Sequence, residues 1–161
     1  MSYKYAFQTT DKSNYAFASA TNLRISLKKA YETCKAINGK KVSAAISFLE
    51  QVEKLDTVVP YRKYNAEMAH QRGKGIDTGG FPVKVAIELL RLIKAAEKNA
   101  KEKELSGDLY LASVSARKGT GRYHPGRYSG RAMKSTNLEV VVGVRAKPKK
   151  EAKANEVRKQ W

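Results

Sequence analysis

The chain has 161 residues, the size of one domain, and its 42% hydrophobic content can fill a modest core but not two. Thirty-two Lys and Arg against 15 Asp and Glu leave a net charge of +17. Such a surface repels itself and attracts polyanions, nucleic acid first and an anionic membrane surface a distant second. No stretch approaches roughly 18 apolar residues and no lipidation motif is present, so no membrane partner is expected.

Met1 to Tyr5 begin no charged-then-apolar run of the kind a secretory signal needs, and the expected location is cytoplasmic. Cys34 is the only cysteine, which leaves neither a disulfide framework nor a cysteine zinc site. At helical spacing from Ala30, Tyr31 and Ile37 it reads as a small core hydrophobe.

Residues 1–15 are polar and aromatic without a period, an irregular N-terminal segment expected to lie on a partner or on the domain. From Phe17 to Ile25 the chain alternates, with Phe17, Ser19, Thr21, Leu23 and Ile25 on one side, as in a strand joining the base of a hairpin. Ser26 is placed to cap a helix over Leu27 to Asn38. Leu27, Ala30, Tyr31, Cys34 and Ile37 form its buried stripe, and Lys28, Lys29, Glu32 and Lys35 are expected to face out. Gly39 ends it, Lys40 and Lys41 occupy the turn, and Val42 to Leu55 forms a second helix that buries Val42, Ala45, Ile46, Leu49 and Val52. The pair is an αα-hairpin. A DNA-reading helix-turn-helix would want Arg, Asn or Gln where the second helix shows Glu50 and Glu53.

Residues 56–81 change character. Val58-Val59-Pro60 stops regular structure, Tyr61-Arg62-Lys63-Tyr64-Asn65 mixes cations with rings, and His70-Gln71-Arg72-Gly73-Lys74-Gly75 is a compact basic turn. Neither Gly73-Lys74-Gly75 nor Gly119-Thr120-Gly121 follows a strong parallel strand or ends in Gly-Lys-Ser/Thr, so a nucleotide-binding loop fits poorly. Loops touching an RNA backbone fit far better, with Lys40, Arg62, Lys63, Arg72 and Lys74 as the cations. Pro82 then starts the longest helix, through about Leu105. Its two apolar stripes (Val83, Ala86, Ile87, Leu90, Ile93 and Val85, Leu89, Leu92, Ala96) suit packing on helices at one flank and a sheet at the other. Gly107 fits its stop.

Leu109 to Lys118 and Thr136 to Val144 are strand-like and should pair as a hairpin. Between them, Gly119 to Ser135 holds four glycines, the cations Arg122, Arg127, Arg131 and Lys134, His124, Tyr123 and Tyr128, and no acid. It has nothing with which to form a core of its own. Guanidinium forks suit phosphate oxygens, glycines admit close backbone approach, and the three rings offer faces to bases. The segment reads as a probe that becomes ordered inside RNA. With the arms paired to a midpoint near Gly126-Arg127, each would reach roughly 55 Å at about 3.3 Å per residue. The chain closes in a basic tail over 145–161.

Catalytic chemistry is poorly supplied. His70 and His124 are the only histidines, Asp77 is the acid that could form a dyad with His70, and no carboxylate cluster has two-metal spacing. Neither catalysis nor a metal or other cofactor is expected.

Several phrases in order match a known family: Leu23-Arg24-Ile25-Ser26, Gly39-Lys40, Phe48-Leu49 with Val52, Val59-Pro60-Tyr61-Arg62-Lys63-Tyr64-Asn65, Gly80-Phe81-Pro82-Val83-Lys84, Asn99-Ala100, Gly130-Arg131-Ala132 and Asn137 to Val142. Over roughly residues 17–144 the chain resembles the large-subunit ribosomal proteins numbered twenty-two in bacteria and archaea and seventeen in eukaryotic cytosol. The insert from Val59 to Lys84 is similar to the archaeal and eukaryotic branch, and the absence of a long C-terminal extension leans archaeal. The resemblance implies a structural constituent of the large subunit, in the cytoplasm, that binds ribosomal RNA beside neighbouring ribosomal proteins and lines the nascent-peptide tunnel with its hairpin. It implies that Arg117, Lys118, Arg122, Arg127, Arg131 and Lys134 meet RNA and that the Gly121 to Gly130 tip lies beside the emerging peptide. Tyr128-Ser129 departs from the more basic or apolar pair of the family pattern.

The expected fold is α+β: a small sheet packed with three helices and a long protruding β-hairpin. One RNA-binding domain spans 16–144, including the hairpin 109–144. Two other functions fit the composition. A free-standing basic regulator or chaperone of nucleic acid would stay apart from ribosomes, and an RNA-processing enzyme would have to use His70, Asp77 and His124.

Overall fold

The computed structural model describes residues 4–9, 12–73, 75–105 and 107–144; the basic tail and Lys74 lie outside the described residues. The elements run β1 (Tyr15–Leu23), α1 (Leu27–Ile37), α2 (Val42–Glu53), β2 (Val59–Pro60), β3 (Gly79–Gly80), α3 (Val83–Glu102), β4 (Leu109–Lys118) and β5 (Thr136–Val144). One antiparallel sheet has the order β1-β5-β4, and β2 and β3 form a separate pair. This is the α+β arrangement of three helices, a small sheet and a hairpin that the sequence suggests.

The run of valines in β5 follows from its central place. With a strand on each edge and cover on both faces, Leu138 to Gly143 are all buried. Leu138, Val140 and Val142 join Leu111 and Val114 of β4 and the helices in one core. The opposite face carries Glu139 and Val141, and the N-terminal segment lies over it. The Ala6 N–H donates to Glu139 Oε2 (2.8 Å), Tyr5 stacks on Phe17 with centroids 4.9 Å apart, and Phe7 on Tyr15 at 5.3 Å.

Of the two faces that the alternation of β1 allows, the core takes the one opposite Phe17. Ala16 and Ala18 enter the core, and Phe17 lies on the other side among aromatic rings. The cause is close approach of α3, whose Asn99 Nδ2 donates to the Phe17 carbonyl (2.9 Å) and whose neighbour Lys103 donates to that of Tyr15 (2.9 Å). A helix that near the strand leaves room for alanine methyls only. The strand also begins earlier, at Tyr15, and ends at Leu23. In β4 a bulge at Ala112 lets Leu111 and Val114, three residues apart, both reach the core.

The helices bury the middle of each expected stripe, whereas Leu27 and Tyr31 of α1, Ile46 of α2 and Val83 and Ile87 of α3 are only partly buried, and one residue is reversed outright. Glu32, expected outward, is 1% exposed. Two helices also stop sooner than their apolar pattern. In α2, Leu55 adopts φ +69° and the Asp56 N–H reaches back to the Gln51 carbonyl (2.9 Å). After α3, Glu104 adopts φ +55° and the Leu105 N–H reaches the Ala100 carbonyl (3.1 Å). Each is a left-handed cap on a residue other than glycine, so Glu104, not Gly107, marks the stop of α3. Only after α1 does the expected residue do this, Gly39 at φ +78°. The turn following it is zipped to β4: Gly39 N–H donates to the Leu111 carbonyl (3.0 Å), and Leu111 N–H to that of Lys40 (2.9 Å).

The regular ladder of the hairpin ends at Lys118–Thr136, so its ten-residue strand spans about 33 Å, not the 55 Å of fully paired arms. Beyond it the arms stay in touch irregularly: Gly119 N–H to Ser135 O (3.0 Å), Met133 N–H to Arg122 O (2.6 Å) and His124 N–H to Arg131 O (3.0 Å). A short 3-10 turn, Gly126–Tyr128, closes the end. Glycines and Pro125, in a segment whose only aliphatic side chains are Ala132 and Met133, supply too little cross-strand packing to hold a regular ladder. Among the described residues no helix is long and apolar enough to cross a membrane.

Candidate nucleic-acid interface

Three basic regions meet solvent, and each is positioned differently. The first is the loop between β2 and β3. Tyr61 N–H donates to the Thr78 carbonyl (2.9 Å), and Thr78 Oγ1 donates to that of Tyr61 (3.0 Å). The buried Glu32 accepts from the backbone N–H groups of Arg62 (3.1 Å), Lys63 (2.9 Å) and Tyr64 (2.8 Å). Three successive N–H groups wrapped around a carboxylate fix the path of the loop. Burial alone would push the Glu32 carboxyl up. The N–H groups of Arg62, Tyr64 and Lys63, with the Lys35 charge nearby, outweigh it and hold the carboxyl below the ordinary 4.5. Because backbone atoms satisfy Glu32, the Arg62 and Lys63 side chains remain exposed. Lys63 Nζ sits 5.1 Å and 5.6 Å from the ring centroids of Tyr31 and Tyr64. Tyr61 beneath is buried, and burial together with the Glu32 charge raises its hydroxyl to about 12.

Lys40 lies 4.3 Å from the Phe48 centroid, and with Lys35 and Arg62 it rims a cavity of about 350 Å³ between α1, α2 and the β2 region. Arg72 is exposed at the far end of the loop. There His70 Nδ1 and Asp77 Oδ1 lie 3.0 Å apart, with more than four-fifths of each side chain in solvent. The pair closes the loop by hydrogen bonding. Among the described residues no group of three or more His, Cys, Asp or Glu could hold a metal ion.

The second region is the hairpin end. Arg122, Arg127, Arg131 and Lys134 are exposed, as are Tyr123 (69%) and Tyr128 (54%). Arg131 stacks its guanidinium 5.1 Å from the Tyr128 centroid, an internal brace across the turn. Lys118 is exposed at the end of the ladder, whereas Arg117 has a partner in its own sheet, its Nε 3.7 Å from Glu139. The root of this region is tied to β1 by Asn22, for which the sequence suggests no special role. At φ +56° its Oδ1 accepts from Thr120 N–H (3.2 Å) and Ser135 Oγ (3.0 Å), and its own N–H donates to Asn137 Oδ1 (2.8 Å). Asn tolerates the left-handed region and can hydrogen-bond locally from it.

The third region is one that the sequence does not mark as a site. His124 and Lys134 of the hairpin line a groove of about 600 Å³ together with Arg24 and Lys29 near the start of α1 and Phe81 and Lys84 at the start of α3. Three stretches that carry the family resemblance, residues 23–26, 80–84 and 130–132, thus meet in one place. A signal was present in the sequence: neither α1 nor α3 has an acid in its first turn, and each has a cation there. The sequence could not place the two beside each other. Cys34, by contrast, is core as expected, and burial raises its thiol to about 12.

The family model "Ribosomal protein L22p/L17e" matches residues 18–143. Among curated proteins, the Large ribosomal subunit protein uL22 of Methanococcus maripaludis strain C5 is 35% identical over 139 residues, covering 82% of this chain and 91% of the relative. The proteins of the same name from Methanococcus vannielii (37%, same coverage) and Archaeoglobus fulgidus (34% over 148 residues, 88% and 96% covered) are similar to it in the same way. With an α+β body, a basic hairpin and a match across most of its length, the chain belongs to the ribosomal protein L22p/L17e family, and the relatives named here are archaeal.

Proposed function

We propose that the chain is a non-enzymatic structural constituent of the large ribosomal subunit, located with it in the cytoplasm, and that it binds ribosomal RNA. Residues 16–144 act as one RNA-binding unit preceded by the N-terminal segment and followed by the basic tail 145–161. The observation that carries the reading is the acid-free stretch from Gly119 to Ser135, with four exposed cations and two exposed tyrosines on a hairpin that has no core of its own. Ordered RNA supplies the phosphates and base faces such a segment lacks. Arg122, Arg127, Arg131, Lys134 and Lys118 take phosphates, Tyr123, Tyr128 and His124 take bases, and Arg117 adds to the field from its place beside Glu139. Lys40, Arg62, Lys63, Arg72 and Lys74 form a second contact on the body. Neighbouring ribosomal proteins adjoin it, and the Gly121 to Gly130 tip lies in the tunnel wall beside the nascent peptide.

Sedimentation of a lysate through a sucrose gradient, before and after a high-salt wash, tests this reading. Cosedimentation with the large subunit that survives the wash is expected of a protein threaded into folded RNA. Recovery only near the top would overturn it in favour of a free-standing nucleic-acid-binding protein.

A further inference from the structure

The groove between the starts of α1 and α3 and the hairpin combines features that ordinary surface packing does not account for. Arg24, Lys29, Lys84 and Lys134 line it, and none of them forms an ion pair among the described residues. No carboxylate lines it either. Four cations gathered around about 600 Å³ repel one another unless an anion enters.

Phe81 is 37% exposed in the same groove. Its position is fixed by its neighbours: Gly80 belongs to β3, and Pro82 is buried as the N-cap of α3. Packing within the chain leaves over a third of this residue exposed. An aromatic face beside phosphate-binding cations is the combination by which proteins take unpaired nucleotides, since every base has a face to stack and every link carries a charge. The volume also falls within the roughly 300–1,000 Å³ typical of small-ligand pockets, far too small for a duplex.

We infer that this groove receives an unpaired nucleotide of the bound RNA, its base stacked on Phe81 and its flanking phosphates held by Arg24, Lys29, Lys84 and Lys134. The inference rests on the RNA-binding reading and sharpens it. Because Lys134 and His124 come from the hairpin and the others from the body, the inserted nucleotide bridges the two. RNA then fixes the direction of the hairpin as well as holding the protein.

The test measures affinity of the full chain for protein-free large-subunit ribosomal RNA across a range of salt, with chemical probing of base reactivity in the complex. One unpaired base is expected to become unreactive with the wild type and with Phe81→Tyr, and reactive again with Phe81→Leu. The leucine variant should bind about 5- to 150-fold more weakly, as expected for loss of one base–aromatic stack. Arg24→Gln and Lys84→Gln, at exposed positions that leave the core untouched, should each flatten the log–log salt slope by about 0.7, the single-strand value per phosphate contact. Wild-type affinity and footprint in Phe81→Leu, or unchanged slopes in both glutamine variants, would overturn the inference. If replacement of Arg122, Arg127 and Arg131 with Ala still lowered the slope in that case, the wider RNA-binding reading would stand. Failure of the wild type to bind the RNA would remove both.

Discussion

Two basic, glycine-containing segments in this protein are held in opposite ways. The loop between β2 and β3 is built around buried groups: Val59, Tyr61 and Thr78 lie in or against the core, and Glu32 gathers three backbone N–H groups. The hairpin end from Gly119 to Ser135 contains no acid, and its root is tied to β1 by the Asn22 cluster. The first loop presents its cations on a path fixed by the protein. The second has cations whose path is braced by a few backbone bonds and one Arg131–Tyr128 stack. The loop also carries acids of its own, Glu67 and Asp77, but the carboxylate that fixes its path is Glu32, supplied by α1.

The most severe way to break this contrast is Glu32→Ala. It leaves three N–H groups of the loop without their partner, and urea denaturation should show a loss of roughly 3 kcal/mol. Glu32→Gln should cost less, since the amide oxygen still accepts. The difference between wild type and glutamine should depend on pH. The carboxyl is held below its ordinary 4.5, so its extra stability is fully present above that value and is lost as pH falls through the lower folded-state value. Denaturation midpoints of the two proteins should therefore converge in acid; a constant gap would show that the charge is not what binds the loop.

A second pair of substitutions compares glycines. At Gly79 an added Cβ would lie 2.5 Å from Val58 Cγ1 and 2.8 Å from the Val59 carbonyl oxygen, so Gly79→Ala should lower stability by about 1–3 kcal/mol. At Gly130 it would meet nothing within 4 Å, and Gly130→Ala should stay within about 0.5 kcal/mol of wild type, both variants read by urea denaturation. Equal effects would erase the distinction between an anchored and an open loop.

The smallest effect on stability is expected where the effect on binding is large. Replacing Arg122, Arg127 and Arg131 with Ala should leave the unfolding midpoint nearly unchanged, because the Arg131–Tyr128 stack is the one ring interaction these side chains make among the described residues. The same change should flatten the salt dependence of RNA binding by about 0.7 to 0.9 for each phosphate contact removed. An unchanged slope would mean that the hairpin end does not touch the RNA backbone.

The sequence by itself determined the three helices, the three strands of the main sheet and their order, because helical stripes and β-branched runs are local patterns; the short β2–β3 pair, where Val58-Val59-Pro60 reads as a stop, it did not show. Ala30, Cys34 and Ile37 in α1, or Leu89, Ile93 and Ala96 in α3, were legible for this reason. The tertiary structure decided what depends on a neighbour distant in the chain. Alternation in β1 fits burial of either face, and only the nearness of α3 selects Ala16 and Ala18 over Phe17. Glu32 looks like a solvated helix residue until the loop 30 positions later folds over it. The groove at Phe81 was invisible for the same cause: Arg24, Lys84 and Lys134 are far apart in the chain, and only packing of α1, α3 and the hairpin around one core brings like charges together where a polyanion can compensate them.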